Sequence, residues 1–211
     1  MKRDKRPFLI AITGGIASGK TAVSKWFEQK GFVVFSADKI GHQALQNETI
    51  ITAVTAIFGI SILVENQINR KVLGKMVFAD FTKLQKLNEI IHPFIFNEMQ
   101  KIIDDCKEEY LVFEVPLLFE NGLEKCFDLT INIFSKKSLR IERLKKRDNL
   151  SEKEILGKME TQLPDYLKIE KADVSVENNS TLDKIYGMLE KIYEYLPRFS
   201  KKKIKRMTEK K

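Results

Sequence analysis

Short apolar runs and longer stretches of helical periodicity take turns along this chain. "FLIAI", residues 8–12, is continuously apolar and rich in branched side chains, and is bounded by Pro7 and by glycines. A run that short, apolar on both faces, predicts a strand buried on both sides. "TAVSKWFEQKG" (21–31) brings Val23, Trp26 and Phe27 round at helical spacing, with Gly31 placed to end the helix. "FVVFS" (32–36) predicts a second strand. Strand, glycine-rich loop, helix and strand within about thirty residues make a βαβ unit, which requires parallel strands and a right-handed crossover.

Residues 39–108 read almost entirely as helix, with apolar positions three and four apart and Pro93 expected to kink or divide the longest segment. "YLVFEV" (110–115), "LTINIF" (129–134) and "DVSVE" (173–177) predict three more strands. Between the last two lies a charged helical stretch in which Ser151 and Glu154 have the spacing of a capping box. "TLDKIYGMLEKIYEYL" (181–196) is amphipathic and is closed by Pro197. The expectation is an α/β fold of three layers around a central parallel sheet of about five strands. One domain, 1–211, would comprise a core from 8–38, 109–137 and 172–196, a helical insertion at 39–108 and a lid at 138–171.

Composition adds limits. Hydrophobic residues are 43% and charged residues 31% of the chain, ordinary for a globular protein. No apolar run approaches bilayer length. "MKRDKRPFLIAITGG" starts like a secretory signal, but its apolar segment is too short and cleavage there would destroy the glycine-rich stretch. A cytoplasmic protein is expected, and Cys106 and Cys126, without metal or redox spacing, are expected as thiols. The net charge is +8, but residues 2–6 carry +3 and residues 198–211 carry +7, which leaves −2 for the body between them. The folded part therefore has no basic excess. The segment 197–211 is expected to be a disordered, solvated tail, with no specific nucleic-acid partner and at most nonspecific contact with phosphates.

The candidate chemistry begins at "TGGIASGKTAV". Gly14, Gly19, Lys20 and Thr21 satisfy G-x-x-x-x-G-K-[ST], after a predicted strand and before a predicted helix. Successive backbone N–H groups of Gly14, Gly15, Ile16, Ala17, Ser18, Gly19, Lys20, Thr21 and Ala22 can turn around a polyphosphate only where side chains do not obstruct it. The helix N-terminus faces the same anion. Lys20 would reach the β and γ oxygens, and the Thr21 hydroxyl would ligate Mg²⁺. Asp38 follows the second strand, at the sheet edge where substrates bind. It can orient or deprotonate an acceptor hydroxyl, or cap a helix beginning near Lys39. Glu114 ends the third strand, either as an outer magnesium partner or as a plain strand-end carboxylate. Arg140, Arg143, Lys146 and Arg147 lie largely on one helix face and can neutralise a transferring phosphoryl group.

These segments together resemble the dephospho-coenzyme A kinases from about residue 8 to 195, in that family's order. "ITGGIASGKTAVS" is similar to its phosphate loop, "FSADKIGHQ" to its next motif and "INRKVLGKMVFAD…LNEIIHPFI" to its helical substrate segment. "VFEVPLLFE" is similar to its third-strand motif, and "RLKKRDNLSEKEILGKMETQ" and "KIEKADVSVENN" to its lid and final strand. The resemblance implies ATP-dependent phosphorylation of the ribose 3′-hydroxyl of dephospho-coenzyme A, with Asp38 facing that hydroxyl. It assigns Arg70, His92, Pro116, Leu117 and Glu120 to the acceptor, Arg143 and Arg147 to the lid, and Asn178 to the adenine end of ATP. Without that context His92 would read as a packed helix residue beside a proline. The chain departs from the family at Ser36, where an acidic residue is usual, at Glu114 for Asp, at Lys158 for Arg and at Ser180 for Gly. Lys158 keeps the charge and loses the bidentate fork. The alternatives are a P-loop kinase for a nucleoside or nucleotide, and a nucleotide-responsive binding module that uses the basic tail. A GTPase fits less well, because no N-K-x-D motif is present.

Overall fold

The apolar run that opens the chain is the middle strand of the sheet. A computed structural model describes residues 6–78, 80–148 and 151–209. In chain order they form β1 (Phe8–Gly14), α1 (Lys20–Gln29), β2 (Val33–Ser36), α2 (Ala37–Ala44), α3 (Glu48–Phe58), β3 (Leu63–Val64) and β4 (Gln67–Ile68). There follow α4 (Arg70–Phe78), α5 (Phe81–Asp105), β5 (Tyr110–Glu114), β6 (Leu129–Phe134), α6 (Lys137–Asp148), α7 (Glu152–Glu160), α8 (Asp165–Lys171), β7 (Val174–Glu177) and α9 (Leu182–Tyr195). The main sheet has five strands in the order β2-β5-β1-β6-β7. Every pairing in it is parallel, Ile10 lying between Val112 of β5 and Leu129 of β6.

All seven residues of β1 are buried, which is why its sequence shows no polar alternation. Its side chains still divide by the period of two. Leu9 and Ala11 join Leu111, Phe113, Phe127 and, from α5, Met99 and Ile103 on one face. Ile10 and Ile12 join Val112, Ile131 and, from the flanking helices, Val23, Phe27, Ile185 and Leu189 on the other. Those are the three layers the pattern predicts. Burying one side chain such as Phe27 contributes about 2–3 kcal/mol. The insertion between β2 and β5 has a core of its own around Val54, Phe58, Ile62, Leu73, Leu87 and Ile91. The long α5 contributes to both, with Leu87 and Ile91 in one and Met99 and Ile103 in the other.

The structure differs from the sequence reading in four places. Pro93 lies inside α5 and does not divide it. Its missing N–H removes one bond from a 25-residue helix whose apolar face is held by both cores. The insertion is not wholly helical, because Glu65 and Asn66 adopt left-handed φ values of 49° and 60° and turn a short antiparallel hairpin, β3–β4. Asp38 is not a helix cap. Ser36 takes that place, its side chain accepting a long 3.4 Å bond from the Lys39 N–H, and Asp38 stands in the first turn of α2.

The fourth difference is the basic tail. Residues 199–209, expected to be solvated, lie along the body. Asp128 accepts the Lys202 backbone N–H at 2.7 Å, Asp173 pairs with Lys202 Nζ at 2.7 Å and Asp104 pairs with Arg206 at 2.6 Å. Met207 is 3% exposed, and its N–H donates to Gln100 Oε1 at 2.9 Å. The three aspartates come from separate elements, so nothing along the chain reveals that they converge. Residues 210 and 211 lie outside the described residues.

Candidate active site

At the carboxyl end of β1 the chain enters the glycine-rich loop and then α1. Gly14 leaves the strand at φ 145°, and a Cβ there would lie 2.1 Å from the Ile133 carbonyl oxygen. Gly19 starts the helix at φ 104°, and a Cβ would lie 2.0 Å from Asn178 Nδ2. Both positions therefore exclude a side chain twice over, by backbone conformation and by space. Asn178 is 4% exposed and donates to the Ser18 carbonyl at 2.7 Å, while its own carbonyl accepts from Ser135 Oγ at 2.6 Å. The resemblance places Asn178 at the adenine. Its side chain packs against the phosphate loop between Gly19 and the Ser18 carbonyl.

Lys20 is 8% exposed and donates from Nζ to the carbonyls of Gly14 and Gly15 at 3.0 and 3.1 Å. Burial lowers its pKa to about 8, against the opposing fields of Glu114 and Asp38 and with a smaller lowering from Lys168 and Arg140. Glu114 Oε2 accepts from the buried Ser24 hydroxyl at 2.8 Å. A cavity of about 460 Å³ opens beside this group, lined by Lys20, Thr21, Asp38, Glu114, Pro116 and Arg147. Ile16, Ala17, Gly19, Arg143 and Gln162 complete its wall. For magnesium the donor set is suitable: a threonine hydroxyl and carboxylate oxygens beside space for phosphates and water match an ion that binds few protein groups. Among the described residues no cluster of three or more His, Cys, Asp and Glu could hold a metal by itself.

The helix α6 divides its basic residues. Arg143 donates to the Ala17 carbonyl at 3.2 Å, to Ser135 Oγ at 3.0 Å and to the Asn178 carbonyl at 3.0 Å, so it braces the loop as well as lining the cleft. Arg147 is paired with its neighbour Asp148 at 2.7 and 2.8 Å, and that bond raises its pKa. Arg140 is 5% exposed, lies over Gly15 and donates to Asp165 at 2.6 and 2.7 Å. Lys146 remains exposed on the same helix.

The expected acceptor residues are spread more widely. Pro116 lines the cleft; Arg70, His92, Leu117 and Glu120 do not. His92 packs its ring 5.4 Å from that of Phe96 and lines a second cavity of about 610 Å³ with Asn121 and Gly122. Glu120 accepts the Leu163 N–H at 2.8 Å and pairs at 2.7 Å with Lys168, whose side chain is fully buried. Arg70 is exposed at the start of α4, and with partial burial its charge lowers the pKa of His42. Sequence reasoning gave no role to Gln162, Lys168 and Ser24, although all three lie inside the family-like segments, and did not foresee the Arg140–Asp165 pair. Their side chains meet partners 25 to 146 residues away, and no local spacing signals such a contact.

In this cleft Asp38 and Arg147 share one cavity with Lys20, which brings a carboxylate and a guanidinium to the phosphate loop. Fold and cleft are those of a P-loop kinase. The sequence pattern of the dephospho-CoA kinase family matches residues 8–184. A dephospho-CoA kinase of Fusobacterium nucleatum is 37% identical over 88% of this chain and 97% of its own. One from Helicobacter pylori is 34% identical over 89% and 96%. Among solved structures, the dephospho-CoA kinase from Campylobacter jejuni shares 26% identity with a TM-score of 0.64, covering 90% of this chain and 97% of its own. Shikimate kinase from Acinetobacter baumannii, at 15% identity and a TM-score of 0.56, shares the fold over 91% of this chain and 96% of its own. This chain belongs to the dephospho-CoA kinase family. It is a kinase with an alcohol acceptor, acting at the last step of coenzyme A synthesis.

Proposed function

We propose that the cleft transfers the γ-phosphoryl group of ATP to the ribose 3′-hydroxyl of dephospho-coenzyme A, with Asp38 facing that hydroxyl. The observation that carries this reading is that Asp38, at the start of α2, lines the same cavity as Lys20 and the phosphate loop. Lys20 and the loop N–H groups other than that of Ile16, which donates to Gln162, hold the β and γ oxygens. Asp38 aligns the incoming oxygen with the γ-phosphorus and takes its proton. Arg143 and Arg147 neutralise charge on the group in transit, and the lid excludes water that would otherwise accept it. Thr21 would hold Mg²⁺, with Glu114 outside it, and the ion supplies charge neutralisation at the phosphate oxygens.

The segment from Pro116 to Gly122 touches the phosphate cleft at one end and the His92 cavity at the other. It is the route along which the acceptor extends from its reacting ribose, and it gives His92, Leu117 and Glu120 their place in acceptor binding. Arg70 supplies positive charge to the diphosphate of the acceptor. Among the described residues no helix is long and apolar enough to cross a membrane. Free thiols at Cys106 and Cys126 support a reducing, cytoplasmic site of action.

The test is product identification after incubation with ATP, Mg²⁺ and dephospho-coenzyme A. Coenzyme A phosphorylated at the 3′ position is expected, with its rate lowered about 10³-fold in Asp38→Ala. Equal rates from both proteins would remove Asp38 from the mechanism.

A further inference from the structure

The connector between α7 and α8, residues 161–164, begins with Thr161 and Gln162, the last two residues of the lid-like segment, and it reaches into the phosphate loop. The Ile16 N–H donates to Gln162 Oε1 at 2.7 Å. A backbone N–H can only donate, so this bond determines which end of the carboxamide meets the loop: the oxygen does, and both hydrogens of Nε2 are left for another acceptor. Among the described residues Nε2 has no such partner, and Gln162 lines the cavity shared by Asp38, Lys20 and Arg147.

The connector is also held from behind. Its next residue, Leu163, donates its N–H to Glu120 Oε1 at 2.8 Å, and Glu120 is paired at 2.7 Å with the fully buried Lys168. Two residues further on, Asp165 accepts from Arg140, which lies over Gly15. The side chain itself is tied to the loop by one bond, on a connector whose following residues are anchored to Glu120 and Arg140.

We propose that Gln162 is a further catalytic residue, its Nε2 donating to an equatorial oxygen of the γ-phosphoryl group during transfer. In that step the bond from γ-phosphorus to the bridging oxygen breaks and its electron pair leaves on ADP. The acceptor oxygen bonds to phosphorus and its proton passes to Asp38. Gln162 gains and loses no atom; it stabilises charge that is spread over the equatorial oxygens. The inference rests on the γ-phosphoryl group lying in this cleft, as proposed above.

Gln162→Ala and Gln162→Glu separate this role from its rivals. Glutamate keeps an oxygen for the Ile16 N–H and replaces the free donor by an anion. Gln162→Ala is expected to lower kcat about 100-fold, with the dissociation constant for ADP and the thermal midpoint unchanged. Gln162→Glu is expected to lower kcat further, again with ADP binding intact. Near-normal kcat in Gln162→Glu would overturn the proposal, since holding Ile16 would then be the whole role. Weaker ADP binding in proportion to the lost rate would also overturn it, by showing that the side chain only shapes the loop. Tighter ADP and ATP binding in Gln162→Ala would do the same, by showing that the side chain merely occupies a phosphate position. Lys20→Ala and Asp38→Ala are assayed alongside. If they lose activity and the Gln162 variants do not, this inference fails alone. If none loses activity, the cleft is wrongly assigned and the inference falls with it.

Discussion

Around Lys20 the polar groups already engage one another, whereas around the expected acceptor residues they face solvent or the protein's own braces. Lys20, Ser24, Asn178 and Arg143 are tied to loop carbonyls, a carboxylate and each other before any nucleotide binds. On the other side Arg70 and His42 are exposed, His92 is half-buried and Glu120 is turned toward Lys168. The difference follows from what each side must bind. A triphosphate is small, rigid in its charge pattern and recognised by backbone N–H groups, whose directions only a preset loop can maintain. The acceptor is long, and the side proposed to meet it is built from an insertion with a separate core, joined to the sheet through α5.

The largest effect that would sharpen this contrast is expected from Lys20→Ala. With the loop otherwise braced, kcat should fall about 10³-fold while the KM for dephospho-coenzyme A stays within twofold. A large rise in the acceptor KM, read from initial rates, would break the division into two sides. Lys168→Met should act on the joint between them. It leaves Glu120 without its partner beside the connector and should cost about 3 kcal/mol of stability in denaturant unfolding. Adding Glu120→Gln should recover most of that loss, because the stranded charge is then gone.

Removing residues 200–211 should lower stability by about 2 kcal/mol, chiefly through exposure of the Met207 site. The KM for ATP should be unaffected, since no described residue of the tail lines the cleft. Lys205, Met207, Thr208 and Glu209 line the His92 cavity, so the KM for dephospho-coenzyme A should rise. An unchanged thermal midpoint would count against the tail as a strap. The smallest effect concerns pH. The Lys20 pKa in the free protein lies at about 8, so its ammonium is present below that pH and disappears as pH rises through it. Between pH 7.5 and 8.5, kcat/KM for ATP should fall about threefold, while kcat, governed by the complex in which phosphates hold the proton on Lys20, changes less. Lys20→Arg should flatten that profile.

Much of the nucleotide side was legible along the chain because its signals are local. A fully buried strand needs an uninterrupted apolar run, and Phe8–Gly14 has one. A phosphate loop needs glycines at set spacing before a helix, and Gly14 and Gly19 are where a side chain would collide with neighbouring atoms. Ser36 shows the limit of that approach. It stands out as a departure from the family, and only the fold shows it as the cap of α2, one bond long, with Asp38 left to face the cleft. Asn178 is similar. Motif likeness assigns it to the adenine end of ATP, and only the fold shows its bond to the Ser18 carbonyl, made across 160 residues.

By itself, then, the sequence determined that residues 8–12 form a strand buried on both faces, the phosphate loop with Lys20 and Thr21, and the family, because each depends on residues adjacent in the chain or on motifs kept in order. Only the tertiary structure decided which carboxylate each basic residue meets. It seated the tail on Asp128, Asp173 and Asp104, buried Arg140 against Asp165, and brought Gln162 to the Ile16 amide. Charge and hydrogen-bonding capacity are properties of single residues, but the partner that satisfies them is chosen by packing between elements far apart in the chain.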